Sequence, residues 1–262
     1  MASRTAFSGM PQFRLDGRVA LVTGAGRGLG AATAVALAEA GAEVVLLSRS
    51  LEELNIVATR IDASGGRART VVCDVNDTAH VRLELARLPT LDILVNNAGM
   101  NIPEAFVDVC EDHLDQLLRL DVRSAFLVAQ SAVRKMLEDP DRQARGASVI
   151  NISSQMGHVG AVNRTVYCMC KHAIEGLTKA MAVELAPKNI RVNSVAPTFL
   201  ETPMTASFLA SKQFREWVTK MIPLGRLGNT YEVAAAIVFL ASPAAALING
   251  TSLLVDGGWT AH

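Results

Sequence analysis

The chain has 262 residues, half of them apolar and 19% charged, with 25 Lys plus Arg balanced by 25 Asp plus Glu. That composition excludes a disordered chain, and the even charge argues against a nucleic acid or a membrane surface as partner, since both call for a basic excess. The length suits one large α/β domain, and no Pro/Gly/Ser linker divides it.

Residues 1–13, MASRTAFSGMPQF, read as a polar tail broken by Gly9 and Pro11, and residues 14–262 as the domain. No apolar run has the length of a secretory signal or a membrane span, so a cytoplasmic protein is expected. Cys73, Cys110, Cys168 and Cys170 have no CxxC spacing and no histidine cluster nearby. They are expected to be buried reduced thiols, with no metal site.

Short β-rich apolar runs fall at 19–23, 44–47, 71–73, 93–96, 149–152, 192–195 and 253–255. Helical periodicity fills the gaps between them. An alanine-rich helix starts at Leu29 and stops before Gly41, and others are expected at 51–64, 78–88, 114–137, 165–186 and 232–241. This alternation predicts a single-domain α/β fold of Rossmann type, a doubly wound parallel sheet of about seven strands with helices on both faces. Two stretches interrupt the rhythm. Residues 137–148, with Pro140 and Gly146, read as an exposed loop. Residues 203–223 carry Met204, Phe208, Phe214, Trp217 and Met221 at helical spacing, as a substrate lid would, or as an ordinary amphipathic helix would.

Directly after the first run comes TGAGRGLG, residues 23–30. Glycine there permits positive φ and close backbone approach, and a helix N-terminus aims free N–H groups at a pyrophosphate. A glycine-rich turn of purely structural role is the alternative. The second run ends in LLSRS, with Ser48 where an NAD enzyme carries an acid for the ribose 2′-hydroxyl. Arg49 and Arg27 would instead suit the 2′-phosphate of NADP, so NADP is the expected cofactor and NAD the second candidate.

Tyr167 and Lys171 stand four residues apart in YCMCK, on one face of a helix, and Ser154 follows the strand VINIS at the sheet's carboxyl edge. A ketone that accepts hydride must also receive a proton. Tyrosine starts near 10, and a cation about 4 Å away is worth about 4 kcal/mol at an effective dielectric of 20, enough to bring a phenol to near 7. Lys171 is expected to lower Tyr167 in this way, while Ser154 holds the substrate oxygen.

In order along the chain, TGAGRGLG, NNAG (96–99), SQMG from Ser154, YCMCK, RVNSVAP from Arg191 and VDGG ending at Gly258 resemble the short-chain dehydrogenase/reductase family. The resemblance runs from about Leu15 to Trp259. It implies a hydride transfer between NADP(H) and the carbonyl or secondary alcohol of a small molecule, with Ser154, Tyr167 and Lys171 catalytic. It implies that Gly24, Arg27, Gly28, Leu29 and Gly30 cradle the nucleotide and that Asp74 and Val75 border the adenine. Asn97, Ala98 and Gly99 would line the groove, Lys171 would also grip the nicotinamide ribose beside Tyr167, and Leu200 and Thr202 would contact the nicotinamide. A homotetramer, or failing that a homodimer, is implied as well.

The sequence departs from the family's pattern twice. Thr198 follows Pro197 where a glycine is usual, and Asp121 stands where a fourth catalytic residue, asparagine, is usual. Two other functions compete with this reading: a 3-oxoacyl-carrier-protein reductase, for which Arg142 and Arg145 would form a basic docking surface, and a dinucleotide-binding sensor without turnover. His158, Asn163 and Gln155 are candidate polar contacts for a substrate.

Overall fold

The computed structural model describes residues 12–261, so all but the last two residues of the expected tail lie outside the description. Strand β1 (Val19–Thr23) is buried along its whole length and enters the glycine turn that opens α1 (Gly28–Glu39). β2 (Glu43–Ser48) follows, then α2 (Leu51–Ala63), whose first turn is capped by the Ser50 hydroxyl accepting from the Glu53 N–H. Next come β3 (Arg67–Val72), α3 (Thr78–Ala86) and β4 (Ile93–Asn96).

The long helix expected at 114–137 is three segments: α4 (Glu111–Leu117), a π-helical turn (Leu118–Ser124) and α5 (Ala125–Leu137). The one-turn α6 (Arg142–Arg145) precedes β5 (Ala147–Ile152), and α7 (Thr165–Leu185) leads to β6 (Ile190–Pro197). The chain closes with α8 (Ala206–Leu209), α9 (Lys212–Met221), α10 (Thr230–Ala241) and β7 (Ser252–Val255).

All seven strands are parallel, in the order β3-β2-β1-β4-β5-β6-β7. Alternate residues of each strand feed opposite faces. Ala20, Val22, Val44 and Leu46 join α1, α2 and α10 in one core, and Val19, Leu21, Val45 and Leu47 join α3, α5 and α7 in the other. The winding reverses between β1 and β4, so the loops after these two strands part and leave a crevice at their carboxyl ends.

Three further expectations need correction in part. β3 begins at Arg67, four residues before the apolar run, because an edge strand with alternate residues exposed needs no continuous apolar stretch. Within the expected exposed loop, Arg142 is 4% exposed: its guanidinium donates to the carbonyls of Met136 (2.9 Å), Leu91 (2.9 Å) and Gly146 (2.5 Å) and to Asp92 and Asp139. Arg145 and Arg18 also reach the buried Asp92, so Arg142 is held in the core, and Arg145, though exposed, already has carboxylate partners. Cys73 and Cys170 are buried, their thiols pushed up by burial to about 11 and about 12, but Cys168 is half-buried and Cys110 is exposed.

Candidate active site

The loops at the carboxyl edge enclose a crevice of about 1180 Å³. Gly24 (φ +65°) and Gly28 (φ +57°) take backbone conformations open to glycine at little cost, and a Cβ on Gly30 would run into the Gly24 carbonyl and the Asn97 side chain. Asn97 fixes this turn by donating its side-chain amide to the Thr23 carbonyl (2.8 Å), and the Thr23 hydroxyl accepts from the Asn97 and Ala98 N–H groups (2.9 and 3.0 Å). The NNAG segment and the glycine turn are thereby one unit. Leu29 and Gly30 open α1 beside them, and Gly99 continues the wall.

At the far end, Ser48, Arg49, Asp74 and Val75 line the crevice. The Ser48 hydroxyl is buried without a partner, a state that leaves a polar group available to a ligand. Arg49 is exposed, whereas Arg27 lies 3.5 Å from Glu53, a neighbour that the sequence reading did not single out. The glycine cradle, the orphaned Ser48 hydroxyl and two arginines with no acid at position 48 fit a dinucleotide carrying a 2′-phosphate.

At the near end Ser154, Tyr167 and Lys171 converge. Ser154 follows β5 and its hydroxyl accepts from the Met156 N–H (3.1 Å), which holds the side chain at the crevice wall. Tyr167 lies in the first turn of α7, and Lys171 one turn later places its Nζ 5.4 Å from the Tyr167 ring centre while donating to the Ile152 carbonyl (3.1 Å). Burial pushes the phenol of Tyr167 up, Lys171 and Ser154 pull it down, and Asp121 pushes it up again; the net direction is upward. The lowering expected from Lys171 is present, but burial outweighs it. Burial drives Lys171 down, yet the surrounding Tyr167, Asp121, Cys170 and Glu175 outweigh it and hold the ammonium above its usual range.

Asp121 stands behind this group. It is 2% exposed within the π-helical turn, its Oδ1 accepts from the Met100 N–H (3.0 Å), and its Oδ2 has no partner. A Cβ on Gly99 would touch both the Asp121 carboxylate and the Lys171 Nζ. Burial raises the carboxyl, and Lys171 and the Met100 N–H oppose that.

Leu200, Thr202 and Phe208 form the outer wall, and the Thr198 hydroxyl is buried without a partner at the position where glycine is usual. Of residues 203–223, the stretch through Phe208 borders the crevice, whereas α9 does not line it but packs in one cluster with its wall residues Met156, Phe199 and Tyr167. Trp217 lies 5.8 Å from Trp259 and 5.6 Å from Phe214 between ring centres, over the buried Val218 and Ile222. His158 does not line the crevice; it bonds Ser252 (2.9 Å) beside Glu175. Gln155 does line it, with its Nε2 buried and unpartnered, and Asn163 is exposed with φ +59°. Donor atoms of Glu104, Cys110 and His113, none of which lines this crevice, gather within 4.8 Å of one another, with His113 already bonded to Glu104 (2.8 Å). The sequence reading did not find this group.

Among the described residues no helix is long and apolar enough to cross a membrane. A family model described as enoyl-(acyl carrier protein) reductase matches residues 24–260. A trans-4-hydroxycyclohexanecarboxylate dehydrogenase from Sinomonas cyclohexanicum is 40% identical, covering 95% of each chain. A 3-oxoacyl-[acyl-carrier-protein] reductase from Thermotoga maritima is 36% identical, covering 94% of this chain and 98% of its own. The crystal structure of a gluconate 5-dehydrogenase from Burkholderia cenocepacia J2315, in complex with NADP and tartrate, superposes with a TM-score of 0.91 at 37% identity, covering 96% of this chain and 98% of that one. The motifs, the sheet order and these likenesses agree: the chain belongs to the short-chain dehydrogenase/reductase family of oxidoreductases.

Proposed function

We propose that this protein transfers a hydride between NADP(H) and the carbonyl or secondary alcohol of a small molecule, with Tyr167 as acid and base. The observation that carries the reading is the meeting of Ser154, Tyr167 and Lys171 at one end of a crevice whose other end is the glycine cradle. When bound, the nicotinamide supplies or accepts the hydride. The protein's part is positional and protonic. In reduction, the Ser154 hydroxyl donates to the substrate oxygen and holds it against the phenol, and Tyr167 delivers its proton to that oxygen as charge develops there. Lys171 stabilises the tyrosinate left behind and grips the nicotinamide ribose.

For the cofactor, Gly24, Gly28, Leu29 and Gly30 receive the pyrophosphate at the start of α1, Ser48, Arg49 and Arg27 the 2′-phosphate, and Asp74 and Val75 the adenine. Asn97, Ala98, Gly99, Leu200 and Thr202 complete the groove. NADP in the Burkholderia gluconate dehydrogenase supports this choice. The homotetramer implied by the resemblance belongs to the same proposal, supported by apolar side chains exposed on α5, α7 and β7: Phe126, Met169, Val183 and Leu254.

A 3-oxoacyl-carrier-protein reductase remains the second reading because of the Thermotoga relative. Less favourable to it is the engagement of Arg142 and Arg145 with Asp92, which leaves only Arg145 exposed on the suggested docking surface. Steady-state turnover of oxo-compounds with each cofactor tests the proposal. NADPH should give at least tenfold higher kcat/KM than NADH, and reversing Ser48 and Arg49 to aspartates should invert the order. Equal efficiency with NADH contradicts the assignment of the 2′-phosphate site, and bound cofactor without turnover on any substrate marks a sensor.

A further inference from the structure

Among the described residues two arginines are buried, and the fold treats them in opposite ways. Arg142, 4% exposed, is saturated by carbonyls and two carboxylates. Arg164 is 7% exposed, and among the described residues its side chain makes one hydrogen bond, Nη1 to the carbonyl of its own neighbour Asn163 (3.0 Å). That carbonyl already accepts from the Glu104 N–H (3.2 Å). The Arg164 Nε is buried with no partner, and no carboxylate of the described residues lies within ion-pair distance of its guanidinium. A buried cation without an anion is costly, and such a group calls for a partner, a ligand or ordered water, that the described residues do not supply.

The position of Arg164 indicates which ligand. It is the residue just before α7, three positions ahead of Tyr167 and hence over the same first helical turn. Its guanidinium stacks on the ring of Phe208 (5.2 Å); Phe208 and Tyr167 both line the crevice, and Arg164, itself outside the lining, is one side chain removed from it. The free N–H groups that open a 21-residue helix add positive potential at the same place.

We propose that Arg164 receives a carboxylate of the substrate, making this enzyme selective for hydroxy acids and oxo acids over uncharged alcohols and ketones. The planar guanidinium offers the paired donors that a carboxylate accepts, and the Phe208 ring holds its plane. The reacting oxygen then lies on Tyr167 and the acid group on Arg164. This inference rests on the hydride-transfer reading for its meaning, but its test does not.

The test is calorimetric binding to the NADP-loaded protein of three acids, gluconate, tartrate and 4-hydroxycyclohexanecarboxylate, each against the alcohol in which its carboxylate is replaced. At least one acid should bind tenfold or more tighter than its partner, and added salt should weaken only the acid. Arg164→Gln should abolish the difference, and Arg164→Lys, which keeps the charge without the fork, should retain part of it. With turnover, the loss should appear in KM for the acid and leave kcat nearly unmoved. Acids binding no tighter than alcohols in all three pairs would overturn the proposal, as would an Arg164→Gln variant that weakens both partners equally. Should the Gln variant fail to fold, the Lys variant and the salt dependence decide alone. Arg164-dependent acid binding in a protein that never oxidises NADPH would leave this site standing and remove the hydride transfer.

Discussion

Asp121 is the residue at which local chemistry departs most from the usual site. As a carboxylate it adds negative charge behind Lys171 and raises both Lys171 and Tyr167. Asparagine of the same shape keeps the acceptor for the Met100 N–H and removes the charge. In the proposed mechanism oxidation needs Tyr167 deprotonated, so its rate is expected to rise with pH through the phenol's titration. In Asp121→Asn that rise should move to lower pH, and superimposable profiles would show Asp121 to be uncoupled from the pair. Stability carries a second sign. Burial raises the folded-state carboxyl above its unfolded value of 3.8, so protonation favours the folded state, and that contribution is lost as pH rises through the folded value. Asp121→Asn should therefore melt higher than wild type at pH 7, by a margin that shrinks as the pH falls toward 4. The role of position 121 was legible only by resemblance. Nothing in LRLDVRSAF announces the π-helical turn that aims this side chain at Gly99 and Lys171.

Among the elements, the strands and helices whose side chains are buried were plain in the sequence, because burial on both faces leaves continuous apolar runs. β3 was read short because its outer residues face solvent, and the loop before β5, read as exposed, is exposed at most of its positions but buries Arg142, which bonds the core instead of water. Arg142 is the reason that this connection is ordered: it joins α5, α6 and the approach to β4 through Met136, Gly146 and Leu91, with Asp92 as counter-charge. A polar residue whose partners lie about fifty positions away cannot be recognised from its immediate neighbours. Removing one member of a buried pair leaves the other charge uncompensated. Arg142→Ala should lose about 3 kcal/mol in urea unfolding, near the lower end for such pairs because Arg145 and Arg18 still reach Asp92. A loss below about 1 kcal/mol would mean that the pair contributes little beyond an exposed one.

For the whole molecule, the strand order puts the glycine turn, the NNAG segment, Ser154 and the start of α7 on one edge of the sheet, though they are spread over more than a hundred residues of chain. That gathering was foreseeable from the βα rhythm and the ordered motifs, since parallel strands all end at the same edge. What surrounds the motifs was not: Glu53 beside Arg27, the orphaned Ser48 and Thr198 hydroxyls and the unpaired Arg164 arise from tertiary packing, which no local pattern encodes. The central claim is that this edge performs proton-coupled hydride transfer through the Tyr167 hydroxyl. Its most direct test is a single-turnover experiment with NADPH and an oxo acid, following nicotinamide absorbance in wild type and Tyr167→Phe, with cofactor affinity measured alongside. The phenylalanine variant should bind NADPH within a few-fold of wild type yet transfer hydride at least about a hundredfold more slowly, the scale of a lost general acid. A variant that transfers hydride within a few-fold of the wild-type rate would contradict it.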